Sequence, residues 1–152
     1  RGFGRSIATG LLLLLLIKGA IPVFLDNHPK DSRAFARDIS PMLPGDPNQI
    51  IFVEDMSRNG LNLYFDAHIK RVSFEAKQKP LSDSAYDSSL TQELMQPADR
   101  RLFVFKRGTE PQFLADAKAE SRQPIRLGEW VEGKKPGPRD RLIYTLAGEF
   151  DP

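Results

Sequence analysis

The sequence predicts an α/β fold, a small and mostly parallel sheet with helices on both faces and an antiparallel hairpin at its C-terminal end. Two unbroken apolar runs, Ile50–Val53 and Leu102–Phe105, are typical of strands that are buried on both faces of a parallel sheet. Helical patterns alternate with these runs, as parallel crossovers require. Near the C-terminus, Ile125–Val131 and Arg141–Ala147 flank a turn rich in proline and glycine, which indicates the hairpin.

A strongly apolar segment, Ile7–Leu25, precedes this fold and includes six consecutive leucines. A helix of these 19 residues would span roughly 28 Å, close to the hydrocarbon thickness of a bilayer. Lys18 and Pro22 interrupt it and leave about a dozen clean residues, fewer than a span needs. Three interpretations remain open: the last transmembrane helix of a larger protein, a signal peptide or signal anchor, and a buried core helix.

The transmembrane interpretation is favoured because Leu11–Ile17 shows no polar face, as a core helix would, and no clean small-x-small cleavage site follows, as a signal peptide would require. The flanking charges orient the segment. Arg1 and Arg5 precede the leucines, and residues 1–25 contain no acidic side chain. By the positive-inside tendency the Arg side faces the cytoplasm. Residues 1–25 are therefore predicted to end the last transmembrane helix, and residues 26–152 to form a soluble domain. That domain is expected on the periplasmic side of the inner (cytoplasmic) membrane.

Composition excludes several other functions. Residues 26–152 carry 19 basic and 20 acidic side chains, so the predicted domain lacks the basic excess of a nucleic-acid binder. The chain has no cysteine, which excludes disulfides, thiolate metal sites and cysteine nucleophiles. Its two histidines are far apart in sequence, and a histidine-rich metal site is not expected.

The first elements after the apolar segment are a helix and a strand. Asp31 or Ser32 is the predicted N-cap, and Pro44–Pro47 stops the helix before the strand Ile50–Val53. The apolar face of this helix is formed by Phe35, Ile39 and Met42 or Leu43.

A short amphipathic helix and a less buried strand are predicted next. Apolar positions recur at helical spacing from Leu61 to His68, with Tyr64 and Phe65 as core residues and His68 as a packed or capping histidine. The alternating run Arg71–Glu75 indicates a less buried or edge strand, and residues 76–89 a loop.

Two further helices flank the second buried strand. Ser88–Gln96 is predicted to form a short helix before Pro97. After the strand, Thr109 and Gln112 have the spacing of a capping box, and Pro111 suits a first helical turn. The core face of this last helix is predicted to consist of Phe113, Leu114 and Ala117.

Two groups of charged residues are candidate contacts for a ligand or a lipid headgroup. Glu54 and Asp55 directly follow the first buried strand, at the sheet edge where open α/β folds bind ligands. A solvated loop start is the alternative. Lys134, Lys135, Arg139 and Arg141 form a basic cluster suited to anionic headgroups or a lipid-linked phosphate, and a solvated turn is the alternative.

The order of features resembles one family of membrane enzymes over roughly residues 7–115. The segments that carry the resemblance follow the apolar helix and are Asp31–Ile39, Ile50–Val53, Gly60–Phe65, Lys70–Val72, Leu102–Phe105 and Phe113. They resemble the C-terminal extracytoplasmic domain of polyprenyl-phosphate-dependent glycosyltransferases of the GT-C type, related to the lipid A aminoarabinose transferase and the protein O-mannosyltransferases. Leu63 stands where an aromatic residue is more usual in that family.

The resemblance implies a parent enzyme that transfers a sugar from a polyprenyl-phosphate carrier to an extracytoplasmic acceptor. The catalytic carboxylates of such enzymes lie in the membrane domain, so no residue of this chain inherits a catalytic, cofactor or metal role. The expected partners are the membrane, the parent's transmembrane domain and the lipid-linked sugar. The domain would cap or support the membrane-embedded site, while metal dependence varies within the family.

Two other functions remain as alternatives. A signal-anchored periplasmic binding or scaffold module without catalysis would share the apolar segment and the α/β domain. A self-contained soluble hydrolase would use Glu54 and Asp55 as its acids.

Overall fold

The predicted α/β class is confirmed, and the sheet is a mixed one of six strands. The computed structural model describes residues 32–75, 86–97, 99–131 and 136–150. The predicted apolar segment 1–25 lies outside these residues. Within the described ranges, none of the helices combines the length and the apolar character of a membrane span.

The sheet has the strand order β3-β2-β1-β4-β6-β5. Its strands are β1 (Gln49–Val53), β2 (His68–Ser73), β3 (Ser88–Ser89), β4 (Arg101–Lys106), β5 (Pro124–Trp130) and β6 (Arg141–Leu146). Strands β1 to β4 are parallel to one another, whereas β6 is antiparallel to both of its neighbours. The predicted hairpin is therefore present, with β6 inserted between β4 and β5.

Helices cover both faces of the sheet, as expected from its central strands. They are α1 (Ser32–Ile39), α2 (Asn62–Phe65), α3 (Leu90–Met95) and α4 (Glu110–Ala119). Strand β1 alternates between the two faces: Ile50 and Phe52 pack in the core beneath α1 and α2, and Ile51 and Val53 in the core beneath α3 and α4. Burial on both faces explains why this strand is an unbroken apolar run.

Three helices, α1, α3 and α4, have a capping signal in the sequence, and two of them, α1 and α3, begin where that signal lies. Helix α1 begins at Ser32, as predicted. Ser89 caps α3 in a complete capping box, because its hydroxyl accepts from the Gln92 amide and the Gln92 side chain accepts from the Ser89 amide. The capping box predicted at Thr109 is wrong. Its hydroxyl donates to the carbonyl of Lys106 instead, although Pro111 does lie in the first turn of α4.

The amphipathic helix predicted from Leu61 to His68 is shorter than expected. A turn of 3₁₀-helix at Asn59–Leu61 leads into α2, and Asp66 ends α2 in the left-handed region with φ of 49°. His68 is exposed at the start of β2 rather than packed on a helix. Phe65 is buried as predicted, but the prediction that Tyr64 is a core residue is wrong, since Tyr64 is 47% exposed.

A buried ion pair joins the strand β4 to the end of the chain. Arg101 donates from Nε and Nη2 to Oε1 of Glu149, at 2.9 and 2.5 Å, and its Nη1 donates to the carbonyl of Glu93. The Arg101 backbone amide donates to Oε2 of the same carboxylate at 2.9 Å. Arg101 is 1% exposed, and its guanidinium has therefore lost its hydrogen bonds to water. The hydrogen bonds to Glu149 and Glu93 take their place.

Candidate functional site

The carboxyl ends of β1 and β4 form the topological switch point of the sheet. The connection that leaves β1 passes through α2 on one face of the sheet, and the connection that leaves β4 passes through α4 on the other. Ligands of open α/β folds bind at such a divergence. Strand β6 starts and β5 ends at the same edge, because Arg141 pairs with both Lys106 and Trp130. Glu54 and Asp55 therefore emerge among the ends of four strands.

Asp55 is buried at this edge and neutralised by two cations. Its Oδ2 accepts from Nε of Arg141 at 2.8 Å, and its Oδ1 lies 3.5 Å from Nζ of Lys106. The amide of Met56 also donates to Oδ1, at 2.9 Å. Arg71 reaches the backbone of Asp55, donating from Nε to its carbonyl at 2.9 Å. These contacts occupy both oxygens of the carboxylate and tie β1 to β2, β4 and β6.

The carboxylate of Glu54 is held by different groups from those that contact Asp55. Its Oε2 accepts from the hydroxyl of Tyr86 at 2.8 Å, and its Oε1 from the amide of Phe74 at 3.3 Å. Its backbone has φ of 49°, and its amide donates to the carbonyl of Val72 at 2.9 Å. The strained backbone turns the two consecutive acids to different partners, so Glu54 and Asp55 do not act as a carboxylate pair.

Aromatic rings line the same edge and stack with guanidinium groups. The guanidinium of Arg58 lies 4.9 Å from the ring centroid of Phe35 and 5.0 Å from that of Trp130. Arg141 approaches the Trp130 ring at 5.5 Å. Arg58 and Arg141 are both buried, and cation–π contacts strengthen when the ions are desolvated. The Trp130 ring therefore contacts both Arg58 and Arg141, and Arg141 is the cation that pairs with Asp55.

A second polar network lies on the hairpin side of the edge. Arg107 contacts the carboxylate of Glu129, which also accepts from Arg126 at 2.8 Å. Arg126 in turn lies 3.8 Å from Glu110, and Glu110 accepts from the hydroxyl of Tyr144. Each carboxylate here has at least one cation or hydroxyl within reach, as at Asp55.

Burial raises the pKa of Tyr144 to about 12, and its hydrogen bond to the Glu110 carboxylate adds to the rise. Because this value lies above the ordinary 10.0, the stability that the phenolic proton contributes is complete below pH 10 and is lost as the pH rises towards 12. We expect an ultraviolet titration to show a late tyrosine step at about pH 12, which Tyr144→Phe removes. A titration without such a step, or one that the variant leaves unchanged, would contradict this assignment.

The predicted basic cluster is described only in part. Arg139 is exposed, and its carbonyl accepts from Nη1 of Arg141 at 3.3 Å. Lys134 and Lys135 lie outside the described residues, so the contacts predicted for them stay predictions. Arg141, which belongs to the same stretch of sequence, is turned inwards to Asp55 instead of towards solvent.

Sequence reasoning located the acids at the correct edge but did not assign their partners. Lys106 directly follows a buried strand, and Arg141 directly precedes another. The signal that would have paired them with Asp55 is that charged residues at the ends of neighbouring buried strands meet at one edge. Trp130 ends the edge strand of the hairpin, and its place beside Arg58 depends on the packing of α1.

The charged side chains at this edge of the sheet neutralise one another. A general base or nucleophile needs a lone pair directed at a substrate, whereas the oxygens of Asp55 face Arg141, Lys106 and an amide. Among the described residues, no group of three or more His, Asp or Glu side chains is placed to hold a metal ion. Comparisons with family models, with curated proteins and with solved structures found no match to this chain.

Proposed function

We propose that this chain is the C-terminal part of a membrane glycosyltransferase that transfers a sugar from a polyprenyl-phosphate carrier to an extracytoplasmic acceptor. In this proposal residues 1–25 end the last transmembrane helix in the inner membrane. The α/β domain lies on the periplasmic side, where it caps or supports the membrane-embedded active site. Sugar transfer takes place on the parent's membrane domain.

The resemblance in sequence and the apolar segment are the first support for this proposal. The segments that carry the resemblance correspond to α1, β1, α2, β2, β4 and α4, which together make up most of the parallel half of the domain. Helix α1 begins only seven residues after Leu25, the end of the apolar segment. A domain that starts so close to a membrane helix stays near the bilayer surface.

The observation that carries the supporting role is the engagement of Asp55. Of the acids at the switch point, it is the most buried, and Arg141 and Lys106 neutralise it. A buried acid in this state holds strand ends together, and an active-site acid would need a free oxygen. The same observation weighs against the hydrolase alternative that uses Glu54 and Asp55.

This role predicts that the chain by itself does not catalyse glycosyl transfer. We expect purified residues 1–152 in detergent to leave a radiolabelled polyprenyl-phosphate sugar intact, with or without Mg²⁺ or Mn²⁺. The parent enzyme serves as the positive control under the same conditions. Formation of a glycosylated acceptor, or release of free sugar by the isolated chain, would place chemistry in this domain and overturn the supporting role.

The reading frame upstream of residue 1 separates this proposal from the binding-module alternative. A polytopic transferase requires about ten further hydrophobic spans in that frame. A signal-anchored periplasmic module requires none, because its single apolar segment suffices as an anchor.

A further inference from the structure

Exposed apolar side chains concentrate in the connection between β1 and β2. Of the seven large apolar side chains that are exposed in the described residues, three lie in this connection: Met56, Leu63 and Tyr64. Leu63 is the most exposed of all, at 83%, and Tyr64 follows it directly on α2. Scattered exposed apolar residues are ordinary, but two consecutive ones on the short helix α2, one of them the most exposed of these seven, indicate a contact surface.

This connection lies beside the point where the chain enters the domain. A methyl group added at Gly60 would lie 2.9 Å from the hydroxyl oxygen of Ser32, so Ser32, the first residue of α1, touches the turn before α2. Leu63 is one helical turn beyond Gly60, and residues at that spacing are about 5–6 Å apart. Leu63 and Tyr64 are therefore neighbours of the start of α1.

The chain that precedes α1 limits how far this surface can lie from a membrane. Ser32 lies seven positions after Leu25, a reach of at most about 25 Å when the chain is fully extended. A tether this short keeps a weak apolar contact at high effective concentration. A leucine and a tyrosine side by side suit the headgroup region, where aromatic rings and apolar side chains insert about 5–10 Å deep.

We propose that Leu63 and Tyr64 form a lipid-contact surface that inserts into the headgroup–acyl boundary of the bilayer. This inference rests on the proposed membrane location of residues 7–25. The surface orients the domain with α2 and the start of α1 towards the membrane. Met95, on α3 at the opposite face of the sheet, faces away from lipid in this orientation.

The test uses the full chain in vesicles of phosphatidylcholine and phosphatidylglycerol. Because the chain has no cysteine, Leu63→Cys and Tyr64→Cys each give a single site for a nitroxide spin label. Met95→Cys is the matched control, since Met95 is also exposed, at 66%. Flotation of the labelled chain with the vesicles is measured first, and collision of each label with oxygen and with a water-soluble nickel chelate second.

We expect all three proteins to float, and the labels at 63 and 64 to gain oxygen collisions and lose nickel collisions relative to the label at 95. Flotation with equally aqueous labels at all three positions would overturn the lipid-contact surface and leave the membrane location intact. This includes the case in which the parent's transmembrane domain covers the surface. A chain that does not float would overturn the proposed function and this inference together. Circular dichroism confirms that each variant is folded.

Discussion

Replacing Arg101 by methionine is expected to lower the free energy of unfolding by about 3–5 kcal/mol, because it leaves a buried carboxylate without its cation. Arg101 is 1% exposed and Glu149 is 7% exposed. The guanidinium also serves the carbonyl of Glu93, which would lose its donor. Since whole domains are stable by only about 5–15 kcal/mol, this change approaches the limit of folding. Urea denaturation followed by circular dichroism measures the loss.

A double variant separates loss of the pair from loss of packing. In Arg101→Met with Glu149→Leu no charge is left buried and unpaired, so part of the lost stability should return. Arg37→Met is the control, because the Arg37–Asp38 pair is exposed and is worth about 0–1 kcal/mol. If Arg101→Met is as stable as Arg37→Met, the buried pair does not hold the C-terminal end of the domain as described.

Asp55→Ala is expected to cost about 3 kcal/mol of unfolding free energy, the second-largest effect among the variants considered. It removes the counter-charge of the buried Arg141 and leaves that guanidinium facing Lys106. The side chain of Lys106 is 43% exposed. Because solvent screens its charge, loss of the Lys106–Asp55 pair contributes little to this cost. The matched control is Glu54→Gln, which keeps one oxygen acceptor for either the Tyr86 hydroxyl or the Phe74 amide and should cost about 1 kcal/mol or less.

Whether Asp55→Ala lowers or raises the free energy of unfolding distinguishes a structural role of Asp55 from a catalytic one. Groups held for chemistry are commonly destabilising, and their removal leaves stability unchanged or increases it. An Asp55→Ala variant that unfolds at the same or a higher urea concentration than the parent chain would therefore return Asp55 to the list of candidate catalytic acids.

The parts of the fold that sequence could predict are those encoded by local pattern. The buried strands β1 and β4 are unbroken apolar runs, and a proline- and glycine-rich stretch of sequence separates the two hairpin strands. Helix α1 begins at Ser32, one of the two positions where capping residues predicted its start. Phe113 and Ala117 are buried in α4 as predicted, whereas the prediction for Leu114 is wrong, because it is 37% exposed.

The rest depends on contacts between distant residues. Arg101 and Glu149 are 48 positions apart, and neither has a local pattern that marks it as buried. The helical spacing from Leu61 to His68 was misleading, because the left-handed Asp66 ends α2 after Phe65 and His68 pairs with Gln49 in the sheet. The partners of Asp55 become visible only when the strand order places β4 beside β1 and β6 beside β4.

Alkaline carbonate extraction of bacterial membranes from cells that express residues 1–152 tests the central claim most directly. The account predicts that the chain stays in the membrane pellet, because the leucine-rich segment is held by lipid hydrocarbon rather than by charge. Recovery of the folded chain in the carbonate supernatant would contradict it. The leucines would then be enclosed within protein, and the membrane tether, the lipid-contact surface and the link to a lipid-dependent glycosyltransferase would fall together.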